Sequence, residues 1–552
     1  MFIDVEGIEG SGKTTLAERV SRELKRLGYR VALASGPAHE GQVERRLRNV
    51  SRDPRLLAMT PHASFLLEIA RTTQQLHDFI RPALGRGEVC VTDRYVYNAL
   101  ADAYARGFDQ AEALEAAAHL ATQDVWPDLV LLLDVDPELG QLRRELRHVT
   151  DGTPLRTSLH GDGFAKFQRD ALLEMARRDP HRWVVIETGL QSLEVLVERV
   201  VEILLLRLQG AESEARAKLP YALSRVNDPA DVEASFFSAV DAVEDREGAL
   251  ALLLLKGISG PAAHQRRVSW APKKPELVAR SLRGLSDEES FRLREVLAEV
   301  CPGPVLEGLG EDHSQRALRL RAELIERAPE EALRGLRGDD SPQAWWLREQ
   351  GLKLGAISAV LESLAGMDTD RSWRVRVAQL VEGRYSAVAP SLVGLSSLRA
   401  DSVRETIAAN DPIAALRSTR GLSTVTSLKL RDALVNRAPA VVLESIEGVD
   451  TPHAWELREK LAPRCPEALR SIRGMDSESA WSLRMRYATL WPTAALESLG
   501  TLGKTERGAA LIEAALRSRP SICSLRAAYQ ATVTAATPMR PAPMDEESRS
   551  VA

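Results

Sequence analysis

Cysteine is scarce in this chain. The four residues, Cys90, Cys301, Cys465 and Cys523, stand far apart with no histidine-rich stretch beside them. Such spacing excludes a disulfide framework and a zinc cluster and fits a reducing compartment. Net charge is nearly absent too: 73 basic and 78 acidic side chains leave −5. A binder of nucleic acid or anionic membrane driven by bulk charge is therefore excluded. Long apolar runs are also missing. The best, "ALALLLLKG" (249–257) and "VEILLLRL" (201–208), fall short of a bilayer's thickness. No basic segment followed by an apolar stretch precedes the first predicted strand, so the expectation is a soluble, cytoplasmic protein with no signal peptide and no membrane partner. At 552 residues the chain exceeds one ordinary core, which leaves several domains or one domain plus a repeat array.

The N-terminal stretch "FIDVEGIEGSGKTTL" satisfies G-x-x-x-x-G-K-[ST] through Gly7, Gly12, Lys13 and Thr14. Its context is the one the motif requires, an apolar strand before it and a helical pattern over 13–27 after it. Glycines let backbone N–H groups turn inward around a phosphate, and the helix N-terminus adds partial positive charge at the same point. Gly7, Ile8, Glu9, Gly10, Ser11, Gly12, Lys13, Thr14 and Thr15 are thus the expected ATP-binding segment, with Lys13 reaching the β- and γ-phosphates and Thr14 ligating Mg²⁺. Extended and helical patterns then alternate to residue 208, predicting a parallel five-stranded sheet flanked by helices. Ligands in such sheets sit beyond the carboxyl ends of the strands. Asp93 and Arg94 follow the third strand pattern. The acid is a candidate for Mg²⁺ or its waters, and the arginine for an acceptor phosphate.

The blocks "FIDVEGIEGSGKTTLAERVSRELKRLGYRV", "IRPALGRGEVCVTDRY" and "WPDLVLLLDVDPELGQLRR" together resemble thymidylate kinases, which move the γ-phosphoryl of ATP onto dTMP. The resemblance covers about residues 1–208. It implies that Glu9 lies near the acceptor, that Arg71 binds the acceptor phosphate, and that Asp93 and Arg94 belong to an Asp-Arg-Tyr motif. With no arginine inside the phosphate loop, it further implies a catalytic arginine from a lid at about 143–163. Arg143, Arg144, Arg147 and Arg156 stand there, with Arg144 and Arg147 the chosen candidates. The family also implies a homodimer through this domain.

Departures gather where the acceptor is expected. The family's Arg-Glu-Pro is Ser35-Gly36-Pro37, the thymine-stacking aromatic is Leu67 with Phe65 nearby, and the Ser, Tyr and Gln positions fall on Asn98, Asp102 and Ala103. Leu67 and Asn98 therefore join Arg71 and Arg94 as the expected acceptor-binding residues. Base discrimination rests on such contacts.

Beyond about residue 219 the strand patterns stop and a repeat begins. Its anchor is glycine at 257, 284, 310, 338, 366, 394, 421, 448, 474 and 500, spaced 26–28 residues apart. Each unit reads as a short helix ending at the glycine, then Asp, Ser or Thr capping a second helix that carries "AWxLR" or a variant of it. Units this small bury a core only by stacking, so an all-α, HEAT-like solenoid is expected over 219–530, with a disordered tail at 531–552. Trp345, Trp346, Trp373, Trp455 and Trp481 read as inter-repeat core. An arginine ladder (Arg267, Arg294, Arg321, Arg348, Arg376, Arg404, Arg431, Arg458, Arg484) pairs either with acids of neighbouring repeats, such as Asp368 or Asp450, or with nucleic-acid phosphate. The array offers no catalytic group, so its expected role is binding, of protein before nucleic acid. Two functions follow: an Mg²⁺- and ATP-dependent nucleoside monophosphate kinase acting on dTMP, or an ATP-binding switch whose solenoid is the scaffold.

Overall fold

The computed structural model describes residues 1–35, 41–52, 59–108, 110–151, 161–189, 192–208, 210, 232–517 and 521–533. Gly36, Pro37, Arg156, most of the junction between 208 and 219, and 534–552 lie outside them. The chain divides into two compact units, Met1–Asn227 with Asp241–Leu250, and Asp228–Val240 with Ala251–Ala552.

The first unit is the expected parallel sheet. Strands β1 (Phe2–Glu6), β2 (Val31–Ala34), β3 (Val89–Asp93), β4 (Leu129–Asp134) and β5 (Trp183–Glu187) lie in the order β2-β3-β1-β4-β5, every pair parallel. Strand alternation splits the core in two. Ile3 and Val5 face α1 (Lys13–Arg26) and the apolar side of helix Leu193–Leu208, whereas Phe2 packs with Leu76, Leu100 and Leu132 on the other face. That second face is covered by α2 (Pro61–Gln75), α3 (Val96–Ala105) and α4 (Gly163–Arg178). The helix expected over 61–84 is continuous but carries a π turn at Leu76–Ile80.

The described residues of the second unit form helices and turns with no strand, and the sequence punctuation works as expected. All ten repeat glycines have positive φ, from 55° to 83°, which a side chain would resist. Asp287, Ser314, Ser341, Thr369, Ser397, Thr424, Thr451, Ser477 and Thr505 each accept at a helix start from the N–H three residues on. Neither expectation for the arginine ladder holds. All nine side chains are at most 1% exposed, and they donate chiefly to backbone carbonyls. Arg376 uses all five N–H donors: Leu364 O, Met367 O, Ser391 O, Ser391 Oγ and Ser372 Oγ, at 2.8–3.1 Å. Each arginine thus fastens the carbonyl ends of two successive short helices. Asp340, Asp368, Asp450 and Asp476 instead accept from the indole N–H of Trp345, Trp373, Trp455 and Trp481. Trp346, expected in the core, is 46% exposed.

The two ends of the array meet. In helix Ile522–Val533, Arg526 donates to Lys256 O at 2.8 Å and the Tyr529 ring stacks on Phe236 at 5.5 Å. This helix runs into the segment expected to be a tail. An open solenoid needs polar caps on its terminal repeats, and here each end covers the other.

Candidate functional site

The loop between β1 and α1 is shaped by approach as much as by turn. A Cβ on Gly10, whose φ is 86°, would stand 2.1 Å from Gly140 O, so only glycine admits the contact with the segment after β4. Gly12 caps α1 in the left-handed region, and a Cβ there would meet nothing within 4 Å. The loop is tight behind and open in front.

Lys13 curls back into this loop, its Nζ donating to Ile8 O at 2.7 Å and Ser11 Oγ at 3.4 Å. Burial, then Arg94 nearby, pull its pKa down to about 7 against the carboxylates of Asp93, Glu6 and Glu9. Thr14 Oγ1 donates to Asp93 Oδ2, while Asp93 Oδ1 is buried without a hydrogen-bond partner among the described residues. The candidate Mg²⁺ residues therefore lie together at the carboxyl edge of the sheet. No group of three or more His, Cys, Asp or Glu that could hold a metal occurs among the described residues. An ion held by a hydroxyl, a carboxylate and phosphate oxygens needs none.

Arg94 has φ 80°, uncommon for a side chain with a Cβ and characteristic of backbone held in place by its surroundings. Its Nη1 donates to Asn98 Oδ1 at 2.5 Å, one turn into α3. Glu6 fixes the start of that helix, its Oε1 accepting from the N–H of Tyr95 and of Asn98. Of the lid candidates, Arg144 donates to Glu9 at 2.9 Å. Burial alone would raise the Glu9 pKa, but Arg144 and Arg94 outweigh it and hold the group below the usual glutamate value. Arg147 is exposed and Arg143 donates to Thr188 O beyond β5, whereas Arg144 converges on the phosphate loop through Glu9.

Arg71, on α2, donates to Glu68 at 2.9 Å and to Glu44 at 3.4 Å. Glu44 comes from helix Gln42–Arg52 and is buried. Leu67 is half-buried, and the Phe65 ring is buried against Phe108 with centroids 6.0 Å apart. The nearby aromatic is thus part of the core.

Sequence reasoning missed Glu44 and Gln168 as site residues. Gln168 Nε2 donates to Asp102 Oδ1 at 2.5 Å and to Asn98 Oδ1 at 3.4 Å, joining α4 to α3 beside Arg94. A glutamine on an otherwise apolar helix face was the only local signal. Asp102 is pushed up to about 6, chiefly by burial, with Arg106 and Arg94 opposing.

Residues 5–200 match the family model described as thymidylate kinase. The thymidylate kinase of Bifidobacterium longum (strain NCC 2705) is 36% identical over 200 residues, covering 36% of this chain and 93% of that protein. That of Pseudomonas fluorescens (strain Pf0-1) is 35% identical over 212 residues, 37% of this chain and 97% of that protein. A crystal structure of thymidylate kinase from Ehrlichia chaffeensis aligns at 23% identity with a TM-score of 0.30, covering 37% of this chain and 98% of that one. With its phosphate loop, its Asp93-Arg94 pair and the Bifidobacterium and Pseudomonas kinases spanned almost end to end, the chain belongs to the thymidylate kinase family.

Proposed function

We propose that the α/β unit is a nucleoside monophosphate kinase that transfers the γ-phosphoryl group of ATP to dTMP. The observation that carries this reading is the gathering of Lys13, Thr14, Asp93, Arg94 and the Glu9–Arg144 pair at the carboxyl edge of β1 and β3. Donor grip and acceptor grip are both needed for transfer, and a pure nucleotide switch has no use for the second.

In this reading the loop N–H groups and Lys13 hold the β- and γ-phosphates, a contact for which Lys13 exchanges its bonds to Ile8 and Ser11. A phosphate beside Lys13 restores its full positive charge, because an anion favours the protonated amine. The hydroxyl of Thr14 and the unpaired oxygen of Asp93 suit Mg²⁺, which when bound neutralises charge on the β- and γ-phosphate oxygens. Arg94 and Arg71 steady the acceptor phosphate, each already aimed by a hydrogen bond to a neighbouring side chain. Arg144 stabilises charge on the group in flight. Glu68 and Glu44 position Arg71.

The helical array, proposed as residues 219–530, is read as a surface for protein. Its ladder arginines are unavailable to phosphate, and exposed charges pair between repeats, as in Arg371–Glu349 at 2.5 Å and Arg486–Glu459 at 2.6 Å. A homodimer through the kinase domain belongs to the same proposal.

The test is ADP formation by the full chain with Mg²⁺, ATP and dTMP. Lys13→Ala should lower turnover by about two to three orders of magnitude, and Arg71→Ala should act mainly through the KM for dTMP. Turnover that ignores dTMP, or that survives in Lys13→Ala, would defeat the reading.

A further inference from the structure

Two oxygens inside the sheet are left over by every contact described so far. Asp4 and Glu6 alternate with Ile3 and Val5 along β1, so they share the face that Phe2 turns toward α3, and both are fully buried. Asp4 Oδ1 accepts from Thr92 Oγ1 at 2.9 Å, and Glu6 Oε1 accepts from the N–H of Tyr95 at 3.2 Å and of Asn98 at 3.1 Å. The second oxygen of each, Asp4 Oδ2 and Glu6 Oε2, is sealed from solvent with no partner among the described residues. Buried polar atoms are rarely left so. The two carboxyl groups lie within hydrogen-bond reach of each other, and two such oxygens pair only through a proton. One proton therefore satisfies both. Burial favours the neutral form of each group, but Arg94 and Lys13 favour the anion at Glu6, which puts the proton on Asp4.

Glu6 is what starts α3. Tyr95, the residue before that helix, has no side-chain cap, and a carboxylate from another strand takes the place of one. The same turn carries Arg94 at φ 80°, its N–H donating to Val5 O at 3.2 Å. The Arg94 guanidinium acts on Glu6, Glu9 and Lys13, so it stands beside the phosphate loop. A carboxylate oxygen left free next to an arginine draws it into an ion pair. The proton of Asp4 occupies that oxygen and leaves Arg94 to Asn98 and to an incoming anion.

We propose that Asp4 is a positioning residue, whose carboxylic acid donates to Glu6 and so holds the start of α3 and keeps Arg94 available to the acceptor phosphate. This rests on the kinase reading given above. What residue 4 must supply is a donor and not a charge. Asparagine has one, with Oδ1 for Thr92 and Nδ2 for Glu6. Leucine, of similar size, has none.

The experiment measures, with the full chain, the calorimetric Kd of dTMP and of ATP, turnover, and amide hydrogen exchange over residues 94–105. Asp4→Leu should raise the Kd of dTMP about tenfold or more, leave that of ATP within about twofold, and speed exchange at the start of α3. Asp4→Asn should restore all three to the parent values. Melting curves report folding, and the smaller Asp4→Val replaces Asp4→Leu if that chain does not fold. The proposal is overturned if the apolar variant leaves either dTMP binding or exchange as in the parent, if ATP binding weakens as much as dTMP binding, or if asparagine is as damaging as leucine. Transfer to dTMP that ignores residue 4 would sink the proposal alone. Binding of dTMP that follows the donor at residue 4, without phosphoryl transfer, would uphold it and defeat the kinase reading.

Discussion

Asp4 and Glu6 lie on the same face of β1, both fully buried, and two carboxyl groups this close inside a protein do not both ionise cheaply. Burial, with Glu6 adding to it, raises Asp4 well above its usual value, and burial raises Glu6 to about 7 against the pull of Arg94 and Lys13. The native state therefore holds protons that the unfolded chain has lost between about pH 4 and 7. Stability of the α/β unit should fall across that interval by up to about 1.4 kcal/mol per pH unit for each proton in play. Lys13 acts in the opposite sense. Its lowered value means the unfolded state binds the extra proton above pH 7, so stability should recover as pH rises from 7 toward 10. Melting of the full chain without added nucleotide should show its α/β transition lowest near neutrality, and Asp4→Asn should flatten the acid side. A transition that climbs steadily from pH 5 to 7 would contradict this.

The phosphate-loop motif and the Asp93-Arg94 pair were legible as patterns because each is a short run of residues following an apolar strand, although the Thr14–Asp93 bond itself joins residues 79 apart. Glu44 on Arg71 and Gln168 on Asp102 were not, since each pairing joins helices 27 and 66 residues apart. A one-dimensional pattern carries no trace of such contacts.

Among elements, the helical joint is the informative unit. The repeat was plain in its glycines, caps and prolines, all local devices. Its arginines were misread because a 27-residue period fixes where side chains recur and says nothing of which way they point. Inward is favoured here because the guanidinium fork matches several carbonyls at once, and the carbonyl ends of helices carry partial negative charge. Arg376→Met should destabilise the helical unit by about 3–5 kcal/mol, as expected when a buried charge network is broken. Arg376→Lys should cost nearly as much, because a single ammonium cannot reach five acceptors set for a planar fork. Denaturant unfolding reads both variants, and full rescue by lysine would mean that charge alone holds the joint.

At the scale of the whole chain, a kinase unit of ordinary family length is followed by an array whose ends meet. That closure was not legible, because Arg526 and Lys256 are 270 residues apart and no repeat pattern states where a superhelix returns. It has a mechanical consequence. Opening one end exposes apolar surface at both, so Tyr529→Ala should lower the stability of the helical unit by about 3 kcal/mol, typical of losing a buried aromatic. Light scattering should also detect self-association through the uncovered ends. A variant as stable and as monodisperse as the parent would mean that the joint contributes little.

The most direct test of the central claim is to identify the product. The full chain is incubated with Mg²⁺, ATP and dTMP, and nucleotides are separated and weighed by mass spectrometry. The account predicts dTDP appearing mole for mole with ADP, and neither above background in Lys13→Ala. ADP without a nucleoside diphosphate partner, whichever monophosphate is supplied, would contradict it and leave an ATP-binding unit that does not transfer its phosphoryl group to a nucleotide.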